Sequence, residues 1–179
     1  MKIEITGKIR MSIELTGSIN YTDGVSVDGV VWRKLSLNNC ETRRVFVNPE
    51  RTLCLKLGWG TSVECNYRHK ADCDEMEFYN SLSEIDQRNF AAIHAQGEVD
   101  GQLWQLAEFI DGPTGTEKYS SNIDGPWNLG DTELGSIVAR IARRHNLADA
   151  HGFNWIARTL PDGREIPVIV DYEDRSYYR

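Results

Sequence analysis

Three oxygen-bearing side chains gather in the last third of the chain. Asp149 and Asn154 lie five residues apart in D-A-H-G-F-N-W, and Asp171 closes an apolar run from Ile166 to Val170. Between them, Trp155 to Leu160 is β-prone, and Pro161-Asp162-Gly163 supplies turn chemistry. A hairpin of that kind brings its strand ends together, so the spacing predicts that Asp149, Asn154 and Asp171 converge on one small space. Two carboxylates and an amide are hard oxygen donors. They suit Mg²⁺, which stays partly hydrated and bridges phosphates.

The elements that must hold these residues can be read along the chain. Met1-Lys-Ile-Glu-Ile-Thr-Gly-Lys-Ile is echoed by Met11-Ser-Ile-Glu-Leu-Thr-Gly-Ser-Ile. Each copy alternates apolar and polar residues, as a half-buried strand does. The repeat is therefore expected to form a pair of antiparallel strands or a duplicated leader, with no catalytic part. Val31 to Leu37, Arg44 to Val47 and Thr52 to Leu57 are β-prone, the last two joined by the turn Asn48-Pro49-Glu50-Arg51. Within the third run Lys56 stands among Leu53, Leu55 and Leu57. A lysine in an apolar strand is costly to bury without an anionic partner.

Asp72 to Leu82 reads as a helix with Met76, Tyr79 and Leu82 on one face. Glu75 lies at the edge of that stripe and is the better candidate to pair with Lys56, with Glu77 as runner-up. Ala92 to Val99, an Asp100-Gly101 turn, and Gln102 to Ile110 form a second hairpin. Pro113 to Gly130 reads as a long loop. From Thr132 a helix follows, with Leu134, Ile137, Val138 and Ile141 at helical spacing and Arg140, Arg143, Arg144 and His145 toward its end.

Composition bounds the function. The chain has 179 residues, 40% of them apolar and 26% charged, with a net charge of −7. That acidity argues against sequence-independent nucleic-acid binding. No apolar run is long enough to span a bilayer and no secretory signal is present, so a cytoplasmic protein is expected. Cys40, Cys54, Cys65 and Cys73 form no C-x-x-C pair and are read as reduced thiols. Cys65, His69 and Cys73 are spaced four apart, but a fourth zinc ligand is not evident.

In this order the parts resemble the protein-kinase-like fold. The D-A-H-x-x-N-W loop, followed by a hairpin and an apolar strand ending in Asp171, is similar to the catalytic loop and metal-binding Asp of bacterial and bacteriophage kinases and small-molecule phosphotransferases. The resemblance covers roughly Leu35 to Glu173. It implies an α+β, two-lobed architecture with a truncated second lobe, arranged as one compact domain overall. Residues 1–30 would be an N-terminal strand repeat, 31–110 a small mostly-β lobe with one helix, and 111–179 a short helical lobe with the catalytic hairpin.

The resemblance also implies roles. Lys56, paired with Glu75, would orient ATP phosphates. Asp149 would act as base, and Asn154 and Asp171 would hold Mg²⁺. The backbone of Glu108, Phe109 and Ile110 would meet the adenine edge, with Leu106 near the back of the pocket. The expected activity is ATP- and Mg²⁺-dependent phosphoryl transfer to a partner protein, with no nucleic-acid or membrane partner. The alternative is a pseudokinase that modulates its partner by binding. Three departures motivate that alternative: Asn38 to Arg43 contains no glycine, Leu147-Ala148-Asp149 lacks the H-R-D histidine, and the sequence is expected to stop short of the elements that follow the metal-binding Asp; Asp171-Tyr172-Glu173 also stands where D-F-G is usual. The sequence continues for eight residues after Asp171, with no activation segment or peptide-binding helices.

Overall fold

The computed structural model describes residues 2–5, 11–14, 24–35, 43–58, 75–99, 102–119, 132–147 and 150–172. The chain divides into two compact units: Met1–Glu77 with Ala92–Phe109, and Phe78–Ala91 with Ile110–Arg179.

Among the described residues the first unit is built on an antiparallel sheet of eight strands: β1 (Lys2–Ile5), β2 (Met11–Glu14), β3 (Gly24–Val27), β4 (Val30–Lys34), β5 (Arg43–Val47), β6 (Leu53–Gly58), β7 (Ile93–Val99) and β8 (Gln102–Glu108). Their spatial order is β1-β2-β3-β4-β5-β6-β8-β7. The two repeat copies, β1 and β2, pair with each other and extend the sheet beyond β3. This is the antiparallel pair that the alternation of the repeat predicts.

Turn chemistry sets the central registers. At the β3–β4 turn Asp28 and Gly29 both take positive φ, 49° and 79°, as the tight primed hairpin turns require. Between β5 and β6 the Asn48 Oδ1 accepts from the amides of Thr52 and Leu53, each at 2.8 Å. That side chain stands in for a missing strand partner and fixes where β6 starts.

One face of the sheet gathers Val25, Val27, Trp32, Phe46, Leu55, Leu57, Trp104 and Leu106 into a buried cluster. The other carries a smaller cluster of Val47, Cys54 and Ala107, with Leu35, Val45 and Phe109 packed against it. Alternation along each strand explains the split, since successive side chains point to opposite faces.

The helix over residues 75–81, α1, contains the boundary between the units. The second unit adds the single turns α2 (Glu84–Gln87) and α3 (Gly115–Lys118), the helix α4 (Glu133–His145), and the hairpin of β9 (Trp155–Thr159) and β10 (Glu165–Ile169). The Thr132 hydroxyl caps α4 by accepting from the Gly135 amide at 3.1 Å. Asn146, left-handed at φ 54°, ends it. The exposed Arg144 pairs with Asp86 on α2 at 3.0 Å.

α3 corrects the reading of Pro113 to Gly130 as a continuous loop. Thr114 and Glu117 form a reciprocal capping box there. Gly115 is buried under the Trp155 indole, where any Cβ would overlap the ring. Residues 120–130 lie outside the described set. Among the described residues no helix is long and apolar enough to cross a membrane.

Candidate functional site

Lys56 lies on the less apolar face of the first unit's sheet. β6 pairs with β8 so that Lys56 stands opposite Gln105, Cys54 opposite Ala107 and Leu55 opposite Leu106. Directly opposed residues share a face. Lys56, Cys54, Gln105 and Ala107 therefore lie on one side, and Leu55, Leu57 and Leu106 on the other. This corrects the expectation for Leu106: it is fully buried in the larger apolar cluster, on the face away from Lys56. Ala107 takes the position on Lys56's face.

Glu75, on α1, is only 1% exposed. Its Oε2 accepts from the Gln105 Nε2 at 2.8 Å. Glu77 is exposed, which separates the two carboxylate candidates. A buried carboxylate needs hydrogen bonds or a countercharge to offset its desolvation, and Gln105 supplies one such bond beside Lys56. Gln105 is itself almost wholly buried. The sequence reading missed it, although a glutamine within Leu103-Trp-Gln-Leu-Ala is the same signal that singled out Lys56.

Cys54 reports the electrostatics of this face. Burial raises its thiol pKa above the ordinary value, the Lys56 charge opposes that shift, and Glu108 and Glu75 reinforce it. Lys56 and Glu75 thus both act on one thiol. Its Sγ donates weakly to the Glu108 carbonyl at 3.7 Å. Beyond it, the Phe109 amide donates to the Thr52 carbonyl at 2.9 Å, and the Glu108 amide to Ala92 at 2.8 Å. The segment read as an adenine edge is thereby tied to both of its strand neighbours. Ile110 belongs to the second unit, buried with Ala91 and Val168.

In the second unit the hairpin delivers two of the three clustered residues. β9 and β10 pair from Trp155↔Ile169 to Thr159↔Glu165. Gly163, at φ 80°, turns the chain, and its amide donates to the Leu160 carbonyl at 2.9 Å. At the open end the Val170 amide donates to the Asn154 carbonyl at 2.9 Å, which brings Asn154 beside Asp171. Asp149 lies outside the described residues, as do Cys40, Cys65, His69, Cys73 and Glu173.

The strand end carrying Asp171 is held by residues 89–91. The Ile169 amide donates to Asn89 at 2.8 Å, the Ala91 amide to Ile169 at 2.9 Å, and the Asn89 Nδ2 to Pro167 at 2.9 Å. Tyr172, directly after Asp171, is buried and donates its hydroxyl to the Ala91 carbonyl at 3.3 Å. Its ring packs on Phe90 and Phe78 with centroids 5.1 and 5.4 Å away. His151 is engaged locally, accepting from the Phe153 amide at 3.2 Å with its ring edge-on to Phe153.

Among the described residues no group of three or more His, Cys, Asp and Glu could hold a metal ion. Asn154 and Asp171 offer an amide and a carboxylate, a hard-donor pair of the sort that suits a cation keeping most of its water.

No family model matches the chain, and no curated protein matches it. Solved structures do. The PknI kinase domain of Mycobacterium tuberculosis matches over 89% of this chain at 20% identity, with a TM-score of 0.52. The bifunctional kinase-methyltransferase WbdD matches over 79% at 18% identity, TM-score 0.52. Rad53 1-466 in complex with AMP-PNP matches over 79% at 10% identity, TM-score 0.53. The chain spans 63% of the PknI kinase domain, 32% of the WbdD chain and 38% of the Rad53 chain. The antiparallel sheet of the first unit belongs to this likeness. The chain has a protein-kinase-like fold.

Proposed function

We propose that the chain is a minimal ATP- and Mg²⁺-dependent protein-kinase-like phosphotransferase acting on a hydroxyl of a partner protein. The observation that carries the reading is Glu75, a nearly inaccessible carboxylate held by Gln105, which stands opposite Lys56. A carboxylate and an amide buried beside a strand lysine are costly to keep, and a lysine positioned by them suits a bound anion. A kinase-like fold makes nucleotide phosphate the fitting anion, and AMP-PNP on Rad53 agrees with it.

In this reading residues 31–110 act as the small lobe, and 111–179 as the portion of the second lobe in this chain. Lys56, kept in place by Glu75, orients the phosphates. The backbone from Glu108 to Ile110 meets the adenine edge, and Ala107 and Cys54 line the same strand face. Asp149 accepts the proton of the attacking hydroxyl as the new oxygen–phosphorus bond forms and the bond to the leaving ADP oxygen breaks. Asn154 and Asp171 would hold Mg²⁺, which neutralises charge on the phosphates when bound.

A second reading, a pseudokinase that modulates its partner by binding, draws on the glycine-free segment Asn38 to Arg43 and on Asp171-Tyr172-Glu173. The test joins two measurements. Mg²⁺-ATP should raise the melting temperature by ligand linkage, and labelled phosphate should reach a co-purified partner protein. A thermal shift without transfer favours the pseudokinase; neither a shift nor transfer sinks the nucleotide reading.

A further inference from the structure

Among the described residues β1 is the terminal strand of the sheet and pairs on one side only, with β2. That pairing joins two near-copies of one sequence, Met1-Lys-Ile-Glu-Ile and Met11-Ser-Ile-Glu-Leu. Its register sets Lys2 against Glu14, Ile3 against Ile13, Glu4 against Ser12 and Ile5 against Met11. Counted within the repeat, the third position meets the third, the second meets the fourth, and the fourth meets the second. The repeat therefore pairs with its own copy in a register symmetric about the central isoleucine.

A bare sheet edge presents a row of backbone donors and acceptors that accepts a strand of compatible sequence. The strand whose compatibility is already visible is the repeat itself. We propose that the protein forms a two-fold homodimer in which β1 pairs antiparallel with β1 of a second copy, centred on Ile3, so that the two sheets become continuous. An antiparallel pair of identical strands is isologous and closes at two subunits. In that register Lys2 stands opposite Glu4 of the second copy, and Glu4 opposite the second copy's Lys2. Both of these positions are complementary in charge, whereas the β1–β2 pairing within a chain has one such position, Lys2 with Glu14. Opposite charges at directly opposed positions favour strand pairing and like charges oppose it. This complementarity singles out a second copy over an unrelated edge strand. The inference is independent of phosphoryl transfer.

Sedimentation equilibrium of the full chain, from micromolar to near-millimolar concentration, tests it. Wild type should show a monomer–dimer equilibrium. Glu4→Lys leaves a neutral position within the chain, opposite Ser12, but between copies it sets the introduced lysine against Lys2 at both positions. It should weaken dimerisation about tenfold or more. The double variant Lys2→Glu/Glu14→Lys preserves an opposite-charge position within the chain. Between copies it sets the introduced glutamate against Glu4, so it should weaken dimerisation similarly. An equimolar mixture of the two variants restores complementarity at both positions and should form a heterodimer. A wild type that stays monomeric throughout overturns the proposal. So does Glu4→Lys dimerising as wild type, which places any interface elsewhere, or a mixture that fails to associate.

Discussion

The two units assemble their candidate residues in opposite ways. In the first, Lys56, Glu75 and Gln105 come from a strand, a helix and a second strand far apart in the chain, with Glu75 and Gln105 buried and Lys56 half-buried. In the second, Asn154 and Asp171 come from the two ends of one short hairpin, joined by the bond from Val170 to the Asn154 carbonyl. The first arrangement costs stability, since it places a carboxylate and an amide where water cannot reach them. The second uses local turn chemistry and leaves both side chains half-buried. A polar group that is expensive to keep is held by long-range register, and one that is cheap is held by a turn.

The strongest test of that contrast is whether the two arrangements serve one reaction. Lys56→Met and Asp171→Asn should each lower phosphoryl transfer by about a hundredfold or more. The double variant should lose little beyond either single change, because residues acting as a unit are not additive. Additive losses in a transfer assay would mean that the two arrangements work separately.

Stability gives the next largest effects. Trp155→Ala removes the indole that covers Gly115 and should cost about 3–5 kcal/mol in chemical denaturation. Gln105→Leu keeps the volume of the strand face but takes away one hydrogen bond of a buried carboxylate, and should cost about 1.5–3 kcal/mol. If Gln105→Leu is neutral, the polar set is not held in the way described. Adding Glu75→Gln to Gln105→Leu should then recover part of the loss, since the remaining group is no longer charged.

The smallest effect contrasts that buried carboxylate with a half-buried one. The Ser83 hydroxyl, with Arg144 and His145, holds the Asp86 carboxyl below its usual range. Its folded-state pKa is depressed, so its contribution is present above the unfolded-state value of about 3.9 and disappears as pH falls through the folded value. Asp86→Asn should be slightly less stable than wild type at neutral pH, and the two melting curves should converge in strong acid. A difference that persists there would assign the effect to the Ser83 hydrogen bond rather than to charge.

The same contrast explains what could be read from the sequence. Pro161-Asp162-Gly163 between two β-prone runs is a local signal, and the hairpin, with Asn154 and Asp171 at its open end, follows from it. The pairing of the repeat copies was legible for the same reason. Leu106 was misplaced because alternation shows that neighbours face opposite ways but not which side faces Lys56. That depends on β6 pairing with β8 rather than β7, and on Lys56 standing opposite Gln105. The capping box at Thr114 was present in the letters Thr-Gly-Thr-Glu, but the surrounding Pro and Gly outweighed it. Glu75 was preferred to Glu77 on helical phase alone, and burial separates them in the same direction.

The tether from residues 89–91 to the strand before Asp171 also has a consequence for synthesis. Asn89 bonds Pro167 across 78 residues, and Tyr172 bonds Ala91 across 81. All eight strands of the large sheet, by contrast, lie within the stretch that ends at Glu108. A chain emerging from the ribosome can therefore close the sheet that bears Lys56 long before Asp171 has left the tunnel, because units fold as their contacts become available. Residues 89–91 wait meanwhile with their carbonyls and amides unclaimed by β10. The nascent chain passes through an interval in which the Lys56 face exists and the acidic end of the hairpin does not.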